Sequence, residues 1–564
     1  MFLPISDFSI EKARSLLIPT GKVPDRREIV KKLLDAARRM GPDAFREKAS
    51  QALVQSLRPG DILPEAYADY RAIVSDGIGF LFSRLATPRA AALAADQILL
   101  EPDTPARERL VALARSVPTL QKLGQIIARN RNLDPALRSL LSTLESSAGG
   151  DDPETVREQV YREIANYRTP YQIRMERELL YEASVGAVIG FSWTAPDTGR
   201  SRQGVFKVLK PGVRGHLAEE FRILDDLAEH FEKRRDRYRL RSFRFRETFA
   251  DVRAALEEEI RLRGEQDHLL RADRFYAADD RVRVPSLLPF CTENVTAMER
   301  MPGGKLLDLS MNPDERRDAA RALFRALIWR PLFSLAEETP FHGDPHAGNL
   351  YAFRGDRNEV LPVLLDWSLS DTLARPQRME MVRLVMNVLL GDPAAVAETL
   401  SGLSVHAKPA DVERIVEDVP TTPRPGRLGK SAGHLARAFD VIDRAAVAGI
   451  RFPAELLLFR KAFFTLDGVL HDLDPDFDMD AAAAELAAET FSREIPRRWC
   501  AGLIPRLDRA DQYATLLTNR DLAWFAGRLM LEAGDRGCRY LAGLAADQME
   551  LFRRATCLAL PAAC

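Results

Sequence analysis

The sequence lacks the features that mark secreted, disulfide-stabilised and membrane-spanning proteins. Its 564 residues include five cysteines, none of them in a Cys-x-x-Cys pair, so neither a disulfide framework nor a structural zinc site is expected. No run of about eighteen apolar residues without charges occurs, which predicts no membrane-spanning helix. The first residues lack the basic and then apolar segments of a secretory signal. We therefore expect a cytoplasmic protein.

The chain also lacks a charge of one dominant sign. It carries 81 basic and 82 acidic residues, which gives a formal net charge of -1. Nucleic-acid-binding proteins usually carry a clear basic excess, so nucleic acid is not expected as a partner. The length exceeds the roughly 250–300 residues that one hydrophobic core supports, and this predicts two or more domains.

The most informative segment is FHGDPHAGNL, residues 341–350, followed by the apolar run that ends in Asp366. Asp344 precedes Asn349 by five positions. Phosphoryl transfer from ATP needs a carboxylate to orient the nucleophile, and an amide and a second carboxylate to hold magnesium. The spacing is typical of a kinase catalytic loop and its metal-binding strand. The alternative, a Pro/Gly-rich turn that only caps a helix, explains fewer of these positions.

A second segment upstream fits the same chemistry. The loop Ala183-Ser184-Val185-Gly186 opens one predicted strand, and a hairpin leads to another that carries Lys207. Small residues let a backbone approach phosphates, and the lysine can reach them. Lys207 alone could equally be a solvated strand lysine. A nucleotide-binding lysine needs a carboxylate partner, and the candidates are Glu219, Glu220, Glu258, Glu259 and Glu265.

Two further segments lie outside the two motifs described above. Residues 281–290 and 293–304 are predicted to form strands that run into a hinge, and we interpret Met298, Glu299 and Met301 as hinge residues that hold adenine. The helix that begins near Val117 contains Lys122, Gly124 and Gln125. Glycine inside a helix costs about 1 kcal/mol relative to alanine, so the small size of Gly124 should serve a purpose. By itself this segment predicts only a helical hairpin.

Taken in this order, the motifs resemble the UbiB/AarF/ADCK family of atypical kinases. The resemblance rests on Lys122-Leu123-Gly124-Gln125, the small-residue loop, Lys207 and HGDPHAGN, and covers roughly residues 115–396. It implies that Lys207 binds the nucleotide with Glu265 as its ion-pair partner, and that Glu259 meets Lys122. It further implies that Asp344 is the catalytic aspartate, that Asn349 and Asp366 bind magnesium, and that the Lys122 helices cover the cleft.

Three positions depart from the family pattern. Arg261 replaces the second acid of the Glu-x-Asp element, Glu182 replaces a small residue before the loop, and Ser368 replaces the glycine of Asp-Phe-Gly. Asp-Trp after an apolar strand is similar to aminoglycoside and choline kinases. A small-molecule phosphotransferase of that kind and a nucleotide-binding pseudokinase scaffold therefore stay open as alternatives.

We expect an α+β, bilobal protein-kinase-like fold with a small β-rich N-lobe, a helical C-lobe and added helices at both termini. The expected parts are a helical extension (1–105), the helical hairpin (106–170), the N-lobe (171–300), the C-lobe (301–405) and a helical C-terminal region (406–564). The expected cofactors are ATP and magnesium, and the expected acceptor is a lipid-like or quinone-like compound or a specialised small molecule. The basic segment 232–247 and the amphipathic segment 539–564 leave peripheral contact with the inner face of a membrane open.

Overall fold

The chain divides into two compact units. The computed structural model describes residues 9–18, 25–58, 62–128, 152–238, 244–406, 412, 433–527 and 530. One unit comprises Met1–Gln266 with Leu287–Arg300, and the other comprises Asp267–Ser286 with Met301–Cys564. The predicted five-part division is finer than this and stays a prediction.

The first unit opens with a bundle of helices. Ser9 and Asp25 cap the first two, because their side chains accept hydrogen bonds from the backbone N–H groups of Lys12 and Arg27. A single 3₁₀ turn, Glu65–Tyr70, precedes the fourth helix. The helices are α1 (Ile10–Leu17), α2 (Arg26–Met40), α3 (Pro42–Leu57), α4 (Arg71–Arg84), α5 (Thr87–Leu99), α6 (Ala106–Arg115), α7 (Pro118–Ala128), α8 (Pro153–Glu163), α9 (Ala165–Arg168), α10 (Val213–Lys233), α11 (Phe245–Glu259) and α12 (Leu262–Tyr276), whose residues divide between the units after Gln266.

The apolar faces of the N-terminal helices form one core. Leu33, Leu53, Leu85 and Ile98 are fully buried within it, and Phe82 is nearly so. Burying one such side chain contributes about 1.5–3 kcal/mol. The segments that form α1, α2 and α3 place apolar residues three and four apart, the spacing of an amphipathic helix.

A four-stranded antiparallel sheet completes the first unit. Its strands are β1 (Arg174–Glu182), β2 (Gly186–Thr194), β3 (Ser201–Leu209) and β4 (Val295–Glu299), in that spatial order. Phe191 of β2 stacks on Phe206 of β3 with ring centroids 3.9 Å apart. Gly204, opposite Phe191 in the ladder, leaves room for that ring, which a Cβ at this position would meet. The predicted hairpin between β2 and β3 is confirmed, whereas β1 was not predicted.

The second unit is mainly helical with small sheets. Its helices are α13 (Pro313–Phe324), α14 (Arg330–Leu332), α15 (Arg375–Leu390), α16 (Pro393–Leu403), α17 (His434–Val447), α18 (Ala454–Leu473) and α19 (Met479–Leu503), with a π-helical turn (Arg325–Trp329) between α13 and α14. Its strands are β5 (Gly304–Lys305), β6 (Glu338–His342), β7 (Leu350–Arg354), β8 (Val360–Leu364) and β9 (Ser370–Ala374). They form a β5-β7-β8 sheet and a β6-β9 pair, both antiparallel.

One predicted strand is wrong. Residues 281–290 form only isolated bridges, Arg283 with Val363 and Leu287 with Met298. Pro285 and Pro289 lie in this segment and lack the N–H groups that a strand ladder requires. The expected α+β class of the bilobal kinase-like fold is nevertheless confirmed. Among the helices that the structure describes, none is long and apolar enough to cross a membrane.

Candidate nucleotide-binding and catalytic site

Lys207 lies near the C-terminal end of β3, opposite Val188 on one side and Thr296 on the other. Its Nζ donates a hydrogen bond of 2.7 Å to Oε1 of Glu265, whose side chain is 5% exposed. Glu265 occupies the first turn of α12. This is the pair that the family resemblance implied.

The residue after Glu265 fixes α12 on the sheet. The side-chain amide of Gln266 donates to the carbonyl oxygens of Thr292 (2.8 Å) and Val295 (3.2 Å), and lies 3.2 Å from Oγ1 of Thr296. Gln266 is buried. A buried amide with several partners holds the start of α12 in one position, and it therefore also holds the Glu265 carboxylate near Lys207.

The other candidate acids have different partners. Glu219 and Glu220 pair with Arg89 of α5, and Glu258 pairs with Arg261 at an exposed 2.9 Å contact. Glu259 pairs with Lys122 of α7. Glu219 and Glu220 thus share one arginine, whereas Glu258 and Glu259 each pair with a different cation.

Lys122 and Glu259 also involve the small-residue loop. One carboxylate oxygen of Glu259 accepts from Nζ of Lys122, and the other accepts from Oγ of Ser184 at 3.0 Å. The last residue of α11 thereby links the Lys122 helix to the loop between β1 and β2. Gly124 is buried within α7, and the side chain of Gln125 lies outside the described residues.

The loop itself is closed by backbone hydrogen bonds. The N–H of Ala183 donates to the carbonyl of Gly186 at 2.7 Å, and the carbonyl of Val185 accepts from the N–H of Lys210 at 2.9 Å. Ser184 and Val185 are buried. Lys210 also pairs with Glu182 at 2.6 Å, so the acid that departs from the family pattern has a cation beside it.

The predicted hinge residues lie at the end of β4 and after it. Met298 and Glu299 pair with Val205 and Gly204 of β3, while Met301 begins the second unit's segment. Met298 is half-buried and Glu299 is exposed. Their role in holding adenine stays a prediction.

In the second unit, His342 fixes the backbone around Asp344. The ring Nε2 lies 2.9 Å from the carbonyl oxygen of Leu365, and Nδ1 accepts from the N–H of Asp344 at 3.2 Å. The proton is therefore assigned to Nε2. His342 is buried, and burial lowers the pKa of its ring below the ordinary value of 6.5. The imidazole is neutral at pH 7 and joins the loop that contains Asp344 to the segment before Asp366.

Gly343 is required between these two residues. A Cβ at this position would lie 2.8 Å from the carbonyl oxygen of Leu369 and 3.0 Å from Leu458 of α18. The backbone N–H of Gly343 also donates to Leu369 at 2.8 Å. The glycine of His-Gly-Asp thus permits close packing of the loop on its neighbours.

Asn349 and Asp366 lie at the same end of the β7-β8 hairpin. Leu350 pairs with Leu364 in the ladder, and the N–H of Leu365 donates to the carbonyl of Asn349 at 2.9 Å. The side-chain amide of Asn349 donates to the carbonyl of Asp344 at 3.1 Å. One hydrogen-bonded framework therefore positions Asp344, Asn349 and the residue before Asp366.

The chemistry of the two candidate ligands fits magnesium. Because the N–H₂ group of Asn349 is used toward Asp344, its amide oxygen is directed away from that bond. Asp366 is exposed and has φ +55°, in the left-handed region, and its Oδ1 accepts from Oγ of Ser368 at 2.6 Å. Amide and carboxylate oxygens are hard ligands, and magnesium is usually held by one or two protein groups with substrate phosphates. Within the described ranges no cluster of three or more His, Cys, Asp or Glu residues could hold a metal alone.

Sequence reasoning missed Lys461. Its Nζ lies 3.1 Å from Oδ1 of Asp344, although it belongs to α18, 117 residues further along the chain. A lysine in the middle of the apolar run of α18 was the only signal in the sequence. That signal does not indicate a partner.

Two segments, one basic and one amphipathic, are the candidates for membrane contact. In the basic segment 232–247, arginines pair with nearby acids: Arg235 with Glu232 at 2.6 Å, and Arg244 with Glu247 at 3.0 Å. Such pairs are typical of a solvated surface. The amphipathic segment 539–564 lies outside the described residues.

The chain is similar in sequence to known kinase-like proteins. Residues 182–400 match the family model of the ABC1 atypical kinase-like domain. The chain is 26% identical over 425 residues to a probable protein kinase UbiB of Xanthomonas oryzae pv. oryzae, covering 72% of this chain and 74% of that protein. It is 24% identical over 450 residues to the corresponding protein of Xylella fastidiosa, covering 76% and 77%.

Two solved structures are more distant. A complex of Rv3197 with erythromycin from Mycobacterium tuberculosis is 14% identical with a TM-score of 0.38, over 56% of this chain and 79% of that one. A Rio2 kinase from Chaetomium thermophilum with ADP and magnesium is 12% identical with a TM-score of 0.25, over 65% and 100%. At these scores neither similarity supports a conclusion about this chain.

Proposed function

We propose that the chain is a magnesium-dependent, ATP-binding kinase or ATPase of the UbiB/AarF/ADCK type; the match of residues 182–400 to the ABC1 atypical kinase-like model and the similarity to probable UbiB protein kinases support this proposal. The observation that carries this proposal is the framework joining His342, Asp344, Asn349 and Leu365 in the second unit. It fixes the relative positions of Asp344, Asn349 and the strand that precedes Asp366. A turn that only capped a helix would not need this set of bonds.

Each residue has a chemical task in this proposal. Lys207, oriented by Glu265, neutralises charge on the phosphates of ATP. Asn349 and Asp366 would hold a magnesium ion, which would supply further charge neutralisation at the phosphate oxygens. The Asp344 carboxylate orients a hydroxyl group or water toward the γ-phosphorus. A new P–O bond then forms between the nucleophile and the γ-phosphorus, the bond to the bridging oxygen breaks so that ADP leaves with the electron pair, and the proton of the nucleophile passes to the Asp344 carboxylate. Positioning and charge stabilisation provide most of the rate in this chemistry.

We propose a lipid-like or quinone-like compound, or a specialised small molecule, as the acceptor. The names of the UbiB relatives support the kinase-like activity and leave the acceptor to experiment. The residue roles, the cytoplasmic location and peripheral membrane contact belong to the same proposal.

Hydrolysis of magnesium-ATP by the wild type and Asp344→Asn tests the proposal. Phosphate release is measured with and without detergent-solubilised lipids that carry a phenolic head group. We expect Asp344→Asn to reduce turnover by about 100-fold or more, and lipid to raise the activity of the wild type only. Asp371→Asn, which alters an exposed carboxylate of β9, is the control and should retain activity.

Asp366→Asn tests the metal role separately. This variant should lose the magnesium dependence of ATP binding, measured as the ATP-induced rise in melting temperature with and without magnesium. Retained magnesium dependence would contradict the ligand role of Asp366. Binding of ATP without turnover under every condition would favour the scaffold, and lipid-independent phosphorylation of a polar small molecule would favour the aminoglycoside-type alternative.

A further inference from the structure

The contact between Lys461 and Asp344 connects the C-terminal helices to the proposed catalytic loop. Nζ of Lys461 lies 3.1 Å from Oδ1 of Asp344, and the two side chains are 35% and 20% exposed. Lys461 lies beyond residues 182–400, the part of the chain that matches the kinase-like family model. A residue outside the recognised domain therefore contacts the aspartate on which the proposed chemistry depends.

The catalytic loop provides no lysine or arginine of its own. Between Asp344 and Asn349 the sequence reads Pro-His-Ala-Gly. The His346 ring is used locally, since its Nδ1 accepts from the N–H of Gly348 at 3.0 Å. A permanent positive charge beside Asp344 must come from another part of the chain, and α18 provides it.

The position of α18 is fixed by packing against the same loop. Phe459 contacts Phe341 edge-to-face with ring centroids 5.1 Å apart, and both rings are fully buried. Leu458 lies where a side chain at position 343 would be. Because residues 458 and 459 are anchored on residues 341–343, Lys461 is held one turn further along, beside Asp344.

We propose that Lys461 is a positioning residue for phosphoryl transfer, acting through Asp344. This inference rests on the proposed function, because it assumes that Asp344 orients the nucleophile. A carboxylate that bonds to an ammonium group through one oxygen has a restricted rotamer, and its second oxygen is directed toward the nucleophile. The C-terminal helices are then part of the active site, since they carry one of its groups.

Kinetics of four variants test this role. Lys461→Met keeps the length of the side chain and removes the charge. It should lower kcat for ATP hydrolysis by up to about 100-fold, the effect of displacing a reacting group by about 1 Å, with an unchanged KM for ATP. Lys461→Arg should recover most of the activity, and Lys461→Gln serves where the methionine variant fails to fold. Arg460→Met removes the adjacent cation, which pairs with Asp443 at 2.9 Å, and should retain wild-type kcat.

A double variant separates positioning from a structural role. In the Asp344→Asn background, Lys461→Met should cause no further loss, because the two residues act as a unit. An additive loss, a wild-type kcat in Lys461→Met, or an equal loss in Arg460→Met overturns the inference. If Asp344→Asn lowers kcat and Lys461→Met leaves kcat unchanged, only the role inferred for Lys461 fails and the proposed function stands. If Asp344→Asn leaves hydrolysis unchanged, the proposed function fails and this role with it.

Discussion

Arg89→Met should strongly destabilise the first unit, because Arg89 is the cation for a fully buried carboxylate. Glu220 of α10 is 0% exposed and accepts hydrogen bonds from the N–H of Thr119 (2.9 Å), from Oγ1 of Thr119 (2.6 Å) and from Arg89. Arg89 also donates to Glu219 at 3.1 Å. These residues connect the N-terminal helix α5, the Lys122 helix α7 and α10.

The burial of the Arg89–Glu220 pair determines the expected loss of stability. Removing one partner of a buried ion pair leaves an uncompensated charge and typically costs about 3–5 kcal/mol. An exposed pair is worth only about 0–1 kcal/mol. Arg84 and Asp226 form such a pair at 3.3 Å, and both side chains are more than half exposed. Arg84→Met is therefore the matched control, since it also unpairs an arginine of the N-terminal helices from an acid of α10.

Hydrogen exchange measured by mass spectrometry is the appropriate assay, because it reports local opening without assuming that a two-unit protein unfolds in one step. A loss of about 3–5 kcal/mol corresponds to roughly 100- to 5,000-fold faster exchange. We expect this acceleration in peptides from α5 and α10 of Arg89→Met, limited by the stability of the whole unit. In Arg84→Met the acceleration should stay within about fivefold.

A double variant provides the outcome that would refute this reasoning. Arg89→Met with Glu220→Leu removes both members of the buried pair, and should exchange more slowly than Arg89→Met alone because the fully buried Glu220 carboxylate is no longer left without its cation. Equal exchange rates in Arg89→Met and Arg84→Met would show that the Glu220 carboxylate is not stabilised chiefly by Arg89. Faster exchange in the double variant would show that the bonds from Thr119 matter more than the ion pair.

Three other predictions concern the site itself. Lys207→Ala should abolish the ATP-induced rise in melting temperature, whereas Lys210→Ala, which unpairs a lysine from an acid outside the proposed site, should keep it; an unchanged rise in Lys207→Ala would remove this lysine from the nucleotide site. Lys122→Met should lower the KM for ATP several-fold, because it removes the contact through Glu259 that holds the Ser184 loop in its buried position. Arg261→Met should leave the KM for ATP unchanged. Equal KM values in the two variants would show that the Lys122 hairpin serves packing alone. The folded-state pKa of His342 is depressed, so between that pKa and about 6.5 the unfolded state binds more protons and stability rises with pH. The urea midpoint of the wild type should therefore fall on acidification below about pH 6.5, and fall less in His342→Gln; parallel curves would contradict this.

Local spacing explains why much of the second unit's site could be predicted from the sequence. Asp344 and Asn349 lie within one loop, and Asp366 follows the strand that pairs with the strand after Asn349. Each of these relations spans a few residues or one hairpin, and the residue types determine it. The positions of these candidate residues relative to one another could therefore be predicted without knowledge of the fold.

Contacts between distant helices could not be predicted in the same way. Lys122 meets Glu259 across 137 positions, and Lys461 meets Asp344 across 117. Helical periodicity identifies the apolar face of α7 or α18, but it does not identify the element on which that face packs. Lys122 and Glu259 were paired only through the family resemblance, and nothing in the sequence paired Lys461.

The departures from the family pattern have local solutions in the structure. Arg261 pairs with Glu258 at an exposed position, so it does not replace the missing acid beside Lys122. Glu259 instead uses both carboxylate oxygens, one for Lys122 and one for Ser184. Ser368, in place of glycine, donates to Asp366 at 2.6 Å and thereby restrains the proposed metal ligand. Because each departure is accommodated by a neighbouring bond, the altered motifs do not by themselves favour a scaffold over an enzyme. The behaviour of Asp344→Asn and Asp366→Asn decides between them.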